Sequence, residues 1–196
     1  MSSIVSKVEK LKLSIRLAEC MWRDLRVYQY QNLELASSRQ KSVFLAGPSS
    51  RQDIMESKWR VFAVNHLRQA GYRGVIYVPE PREDDWSFKK DFPMEIVDWE
   101  IERLMSCSIK MFWIPRHEVQ LPGRVTNTEL GFQLGRAYEN PKLKEKIIWG
   151  YPSDAWKVKS ELHWARLSDI EPFNDLGNMC KYIAQKLNNK NNTATK

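Results

Sequence analysis

At 196 residues the chain fits one domain, long enough to bury well over half of its extended surface without disulfide staples. Its 42% hydrophobic and 28% charged residues suit a soluble globule, while three scattered cysteines, no CxxC and three histidines argue against a disulfide framework or a metal site. The net charge of +7 permits anionic ligands and weak nucleic-acid contact but identifies neither, and no apolar run is long enough for a membrane span, so a cytoplasmic protein is the expectation.

In chain order, Ile4, Val8, Leu11, Ile15, Ala18, Trp22 and Leu25 alternate spacings of four and three, which predicts a basic amphipathic helix to about Tyr28. Residues 1–36 then read as an accessory helix and linker, with self-association as one use and an acidic surface as another. Ser42–Ala46, closed by Gly47-Pro48, predicts a buried first strand. A helix is expected over Ile54–Ala70, ended by Gly71, and a second strand over Gly74–Pro79. The charged loop from Pro79 to Phe92 carries Trp86 and Phe88, two aromatics that a solvated loop does not need. A helix from Pro93 to Met105, a third strand at Ile109–Ile114 and a helix within Val125–Tyr138 follow. Lys144–Trp149 predicts a fourth strand, Asp154–Leu167 and Asn174–Leu187 the last helices, and 189–196 a polar tail. Strand and helix alternate, so residues 37–188 are expected to form a doubly wound, mostly parallel α/β domain of four to five strands, Rossmann- or flavodoxin-like. Neither GxGxxG nor GxxxxGK[ST] occurs.

Glu129 is the residue of interest, placed in the first helical turn beyond a sheet edge, where open parallel sheets hold their ligands. Thr126-Asn127-Thr128-Glu129 also fits a capping box, so the spacing leaves two readings, helix cap and ligand-facing carboxylate. A helix N-terminus would hold the carboxylate ionised, as a nucleophile requires. Gly131 and Gly135 imply something bulky against their helix face. Of Glu95, Asp98, Glu100 and Glu102, at least two belong to a solvated acidic face; one of the others, paired with Glu129, would make the two-carboxylate arrangement of glycosidic chemistry. Arg51, Arg116 and Arg124 fall in loops after strands and could meet a phosphate or carboxylate. Ser49 and Ser50 either donate to a ligand or begin the helix. Trp86, Phe88 and Trp113 are candidate stackers for a planar ring.

Phe44-Leu45-Ala46-Gly47-Pro48, Met111-Phe112-Trp113-Ile114-Pro115 and Thr126-Asn127-Thr128-Glu129-Leu130-Gly131, in this order, resemble the nucleoside 2-deoxyribosyltransferase-like superfamily, in its branch with FW-x-P and TN-x-E-x-G stretches. The resemblance implies a small doubly wound domain, commonly a homodimer or higher homo-oligomer, that cleaves or exchanges the N-glycosidic bond of nucleosides or nucleotides. It implies Glu129 as the nucleophile that forms a covalent glycosyl intermediate, and Glu100, or Asp98 in a shifted register, as the group handling the base's proton. Gly47 and Pro48 would contact the sugar side, and Ser50 or Arg51 the 5′ side. The chain departs from the family pattern twice. Phe44 stands where transferases often carry a tyrosine, and Pro122-Gly123-Arg124 lacks the aspartate that often precedes the glutamate, with Asn127 as a partial substitute. No metal or organic cofactor is implied. Transferase and hydrolase both fit, and the rival class is a non-catalytic nucleotide or nucleotide-sugar binding module, regulatory or attached to nucleic acid.

Overall fold

The computed structural model describes Lys12, Arg16 and residues 27–29, 41–49, 58–80 and 94–189. The expected N-terminal helix lies outside these residues except for Lys12 and Arg16, both helical and exposed, and for its end. That end is not helix. Val27–Gln29 forms a short strand, β1, a correction that its β-favouring Val-Tyr pair explains.

Four further strands follow: β2 (Ser42–Ala46), β3 (Val75–Val78), β4 (Ile109–Trp113) and β5 (Ile147–Gly150). Helices α1 (Trp59–Gln69), α2 (Met94–Ser106), α3 (Arg124–Glu139), α4 (Lys159–Leu167) and α5 (Leu176–Asn189) complete the order. The sheet runs β1-β3-β2-β4-β5 and every pairing is parallel. All residues of β2 to β5 are buried, because helices cover both faces; this is why these strands read as largely apolar runs, with Ser42 and Lys110 the exceptions.

Alternate side chains of each strand feed two cores. Val43, Leu45, Ile76, Met111 and Trp113 pack under α1 and α5, against Ala63, Leu67, Met179 and Ile183. Phe44, Ala46, Tyr77, Phe112 and Ile114 pack under α2, α3 and α4, against Trp99, Leu130, Leu134 and Ala165. The doubly wound α/β expectation holds. From β2 the chain passes to β3 on one side, then returns past β2 to β4 on the other. With right-handed crossovers, that reversal puts α1 on one face and α2 and α3 on the opposite face. In open α/β sheets such a reversal, here between the carboxyl ends of β2 and β4, is where a ligand crevice forms.

Local chemistry sets the element ends. Gly71 takes φ 83°, and the amides of Gly71 and Tyr72 bond the carbonyls of Arg68 and Leu67 at 3.0 and 2.9 Å, closing α1 with a Schellman motif. The fourth strand starts later than expected: Pro141–Lys146 is a 3-10 turn, fixed by Pro141 and by the Asn140 side chain accepting from the Lys142 amide. Likewise, α4 begins at Lys159 rather than Asp154, after Lys157 with φ 47°.

Candidate active site

The loop leaving β2 is held by α1. Trp59 Nε1 donates to the Pro48 carbonyl at 3.0 Å. Arg60, 1% exposed, donates through Nε to the Leu45 carbonyl at 3.0 Å and through Nη2 to the Gly47 carbonyl at 2.5 Å. Its Nη1 reaches Ser49 Oγ at 3.0 Å and the Glu80 carboxylate at 2.6 Å. Gly47 has to be glycine: a Cβ there would collide with the Trp113 carbonyl and the Trp59 ring. Pro48 in turn lies beside Gly123, where a Cβ would sit 3.6 Å from that of Pro48. The β2 loop, the end of β4 and the start of α3 thus meet at the crevice.

Helix α3 starts earlier than the capping box requires. Gly123, in the left-handed region at φ 63°, is its N-cap and makes no side-chain cap bond. The Asn127 amide bonds the Gly123 carbonyl at 3.0 Å, and Thr126 is buried within the first turn. The helix-cap reading of Thr126 and Glu129 is therefore overturned. Glu129 sits in the second turn, beyond the strongest part of the helix dipole. Its carboxyl is not held ionised as expected: burial pushes it up to about 7, against the pull of the Arg60 charge.

Among the described residues, Glu100, on α2, is the carboxylate that comes within electrostatic range of Glu129. Burial pushes it up to about 8, the Glu129 charge adds to the rise, and Arg60 opposes it. Asp98, Glu95 and Glu102 are exposed on the outer side of the same helix, so Asp98 does not join the pair. At neutral pH, then, Glu100 keeps its proton while Glu129 is partly ionised. Two carboxyls with separated proton affinities divide naturally into acid and nucleophile.

Other expected contacts fall elsewhere. Trp113 is 5% exposed and packs in the α1 and α5 core, leaving no ring face for a ligand. Phe44 is buried in the opposite core, its ring centroid 6.4 Å from that of Trp99. Arg116 is built into the fold rather than offered to an anion: it donates to Glu161 at 2.7 Å, to the Lys157 carbonyl at 2.5 Å and to Asn127 Oδ1. Asn127 thereby gives its carbonyl oxygen to Arg116. No side chain among the described residues lies within 4 Å of a Cβ built on Gly131 or Gly135, so the bulky neighbour expected there is not found. Ser50, Arg51, Trp86 and Phe88 lie outside the described residues.

Arg60, Glu80 and Glu161 were missed. Arg60 had a signal: it shares an apolar stripe with Ala63, Val64 and Leu67, at helical spacing. A charge on such a stripe needs buried partners.

A family model described as nucleoside 2-deoxyribosyltransferase like matches residues 40–142, just over half of the chain. The chain belongs to this family. The matched span of this nucleoside 2-deoxyribosyltransferase-like chain runs from β2 into the 3-10 turn and contains Gly47, Pro48, Arg60, Glu100 and Glu129. Among curated proteins, none matches the chain. Family membership implies nucleoside binding and glycosyl transfer on nucleosides. Among the described residues, no helix is long and apolar enough to cross a membrane.

Proposed function

We propose that this chain cleaves or transfers at the N-glycosidic bond of a (deoxy)nucleoside or nucleotide, with Glu129 as nucleophile and Glu100 as acid. The observation that supports this reading is the pair itself: two carboxyls within electrostatic range of each other and of Arg60, raised to about 7 on Glu129 and about 8 on Glu100. In the first step a Glu129 oxygen bonds to the anomeric carbon and the bond to the base breaks. The Glu100 proton passes to a ring nitrogen of the departing base, leaving Glu100 as carboxylate. In the second step water or another base attacks the glycosyl ester. Glu100 takes the incoming nucleophile's proton, and Glu129 departs as carboxylate. Water completes a hydrolase; a bound second base completes a transferase. The resemblance assigns Gly47 and Pro48 to the sugar side and Ser50 or Arg51 to the 5′ side.

One observation favours the rival reading of a binding module without turnover. Phe44, in a position where transferases often carry tyrosine, lies sealed in the core and brings no hydroxyl to the crevice. Incubation with deoxynucleosides and their monophosphates, with and without a free base, separates the two. Base release or exchange is expected, and is expected to vanish in Glu129→Ala. Saturable binding with no base released across the panel would support the rival instead.

A further inference from the structure

Arg60 is the charged residue on the apolar stripe of α1, and all three of its guanidinium nitrogens are engaged. Three of its acceptors, the carbonyls of Leu45, Gly47 and Pro48, lie where β2 ends and its ladder no longer provides donors. A fourth is Ser49 Oγ in the same loop, and the fifth is Glu80, just past β3. One planar fork thereby ties together the carboxyl ends of two neighbouring strands, a geometry that the point charge of lysine does not reproduce. The guanidinium also lies over the Trp59 ring, 4.4 Å from its centroid, and Trp59 donates to the same loop.

We propose that Arg60 is the positioning residue of this site: it fixes the Gly47–Ser49 loop at the mouth of the crevice and supplies positive charge to the Glu100–Glu129 pair. Glu80 acts as the counter-ion that sets how much of that charge the pair feels. Glu80 is 21% exposed and Arg60 1%, so the counter-ion is partly solvated while the guanidinium stays sealed. The inference rests on Glu129 and Glu100 being the working pair, and Arg60 acts through them without touching the reacting atoms.

Among the described residues, the charged groups that act on the pair are Arg60 from α1, itself ion-paired to Glu80, and each carboxyl on the other from α2 and α3. The test is the titration of the glutamate carboxyls by carbon-13 NMR on the full chain without substrate, with E129Q and E100Q to assign the signals. In R60M the Glu129 midpoint is expected to rise by about one pH unit. In R60K, which keeps the charge but not the fork, the midpoint should move by less than half of that, while kcat/KM falls about tenfold with the loop released. E80Q should move the midpoint down, because Arg60 loses its competing carboxylate. A Glu129 midpoint unmoved in both R60M and E80Q overturns the proposal. Where R60M does not fold, an unmoved midpoint in E80Q alone overturns it. Since the titration needs no turnover, a wild-type protein that releases no base would sink the glycosidic reading while leaving this measurement to decide Arg60.

Discussion

At the scale of single residues, the informative quantity is the proton on each carboxyl. Both carboxyls bind protons more tightly in the folded chain than in an unfolded one, because burial penalises the charge. Between pH 4.5 and the folded values the native state therefore holds more protons than the unfolded state, so stability falls as pH rises through about 7 to about 8. Glu100→Gln removes one of these buried charges. It should be more stable than the wild type above pH 8, by on the order of 3 kcal/mol, and indistinguishable below pH 4.5. Urea melts at the two pH values check this. The proposed chemistry needs the reverse compromise, with Glu129 ionised and Glu100 protonated. The pH profile of kcat/KM should be a narrow bell, its limbs near 7 and 8 belonging to the pair as a whole. In Glu100→Gln the alkaline limb should disappear and the acid limb stay.

Among the elements, α3 carries Glu129 and its placement depends on buried polar contacts. Arg116 anchors the first turn through Asn127 and reaches α4 through Glu161, with the ion pair 4% and 9% exposed. Burial alone would raise Glu161; the hydrogen bond and charge of Arg116 outweigh it and hold the carboxyl below its usual range. Stability from this pair is present above the ordinary glutamate pKa and fades as pH falls through the folded value. Glu161→Gln leaves the Arg116 charge buried without its counter-charge, and should cost about 3 kcal/mol in denaturant melts at pH 7. The two helix glycines point the other way. Gly131 and Gly135 are exposed and no described atom crowds them, so each change to alanine should add about 0.5–1 kcal/mol, visible as a higher Tm. A loss of activity without a loss of stability in either variant would mean that ligand or partner uses that face.

For the whole molecule, the fold was legible because strands covered on both faces are mostly apolar, and Ser42–Ala46, Val75–Val78 and Ile109–Trp113 are so apart from Ser42 and Lys110. The order of those runs with intervening helical spacing implies a parallel sheet, and its reversal places the crevice. The sequence offered Glu129 and Glu100 as a candidate pair, and the two carboxyls do come within electrostatic range of each other. What the sequence concealed was tertiary. A Thr-x-x-Glu spacing looks like a cap until Gly123 starts the helix earlier, and no local pattern says that Arg116 turns inward to Glu161. The ring of Trp113 follows strand alternation into the core rather than toward a ligand. Arg60 was concealed differently, as a charge on an apolar stripe whose partners lie in two other strand ends.

The proposed chemistry requires a covalent bond between Glu129 and a sugar. The direct measurement is mass spectrometry of peptides from protein mixed with a reactive deoxynucleoside, or its 2-fluoro analogue, and quenched in acid. A glycosyl ester on the peptide that contains Glu129, absent from Glu129→Ala, is the expected result. Base release that persists in Glu129→Ala, with no adduct on that peptide in the wild type, would contradict it.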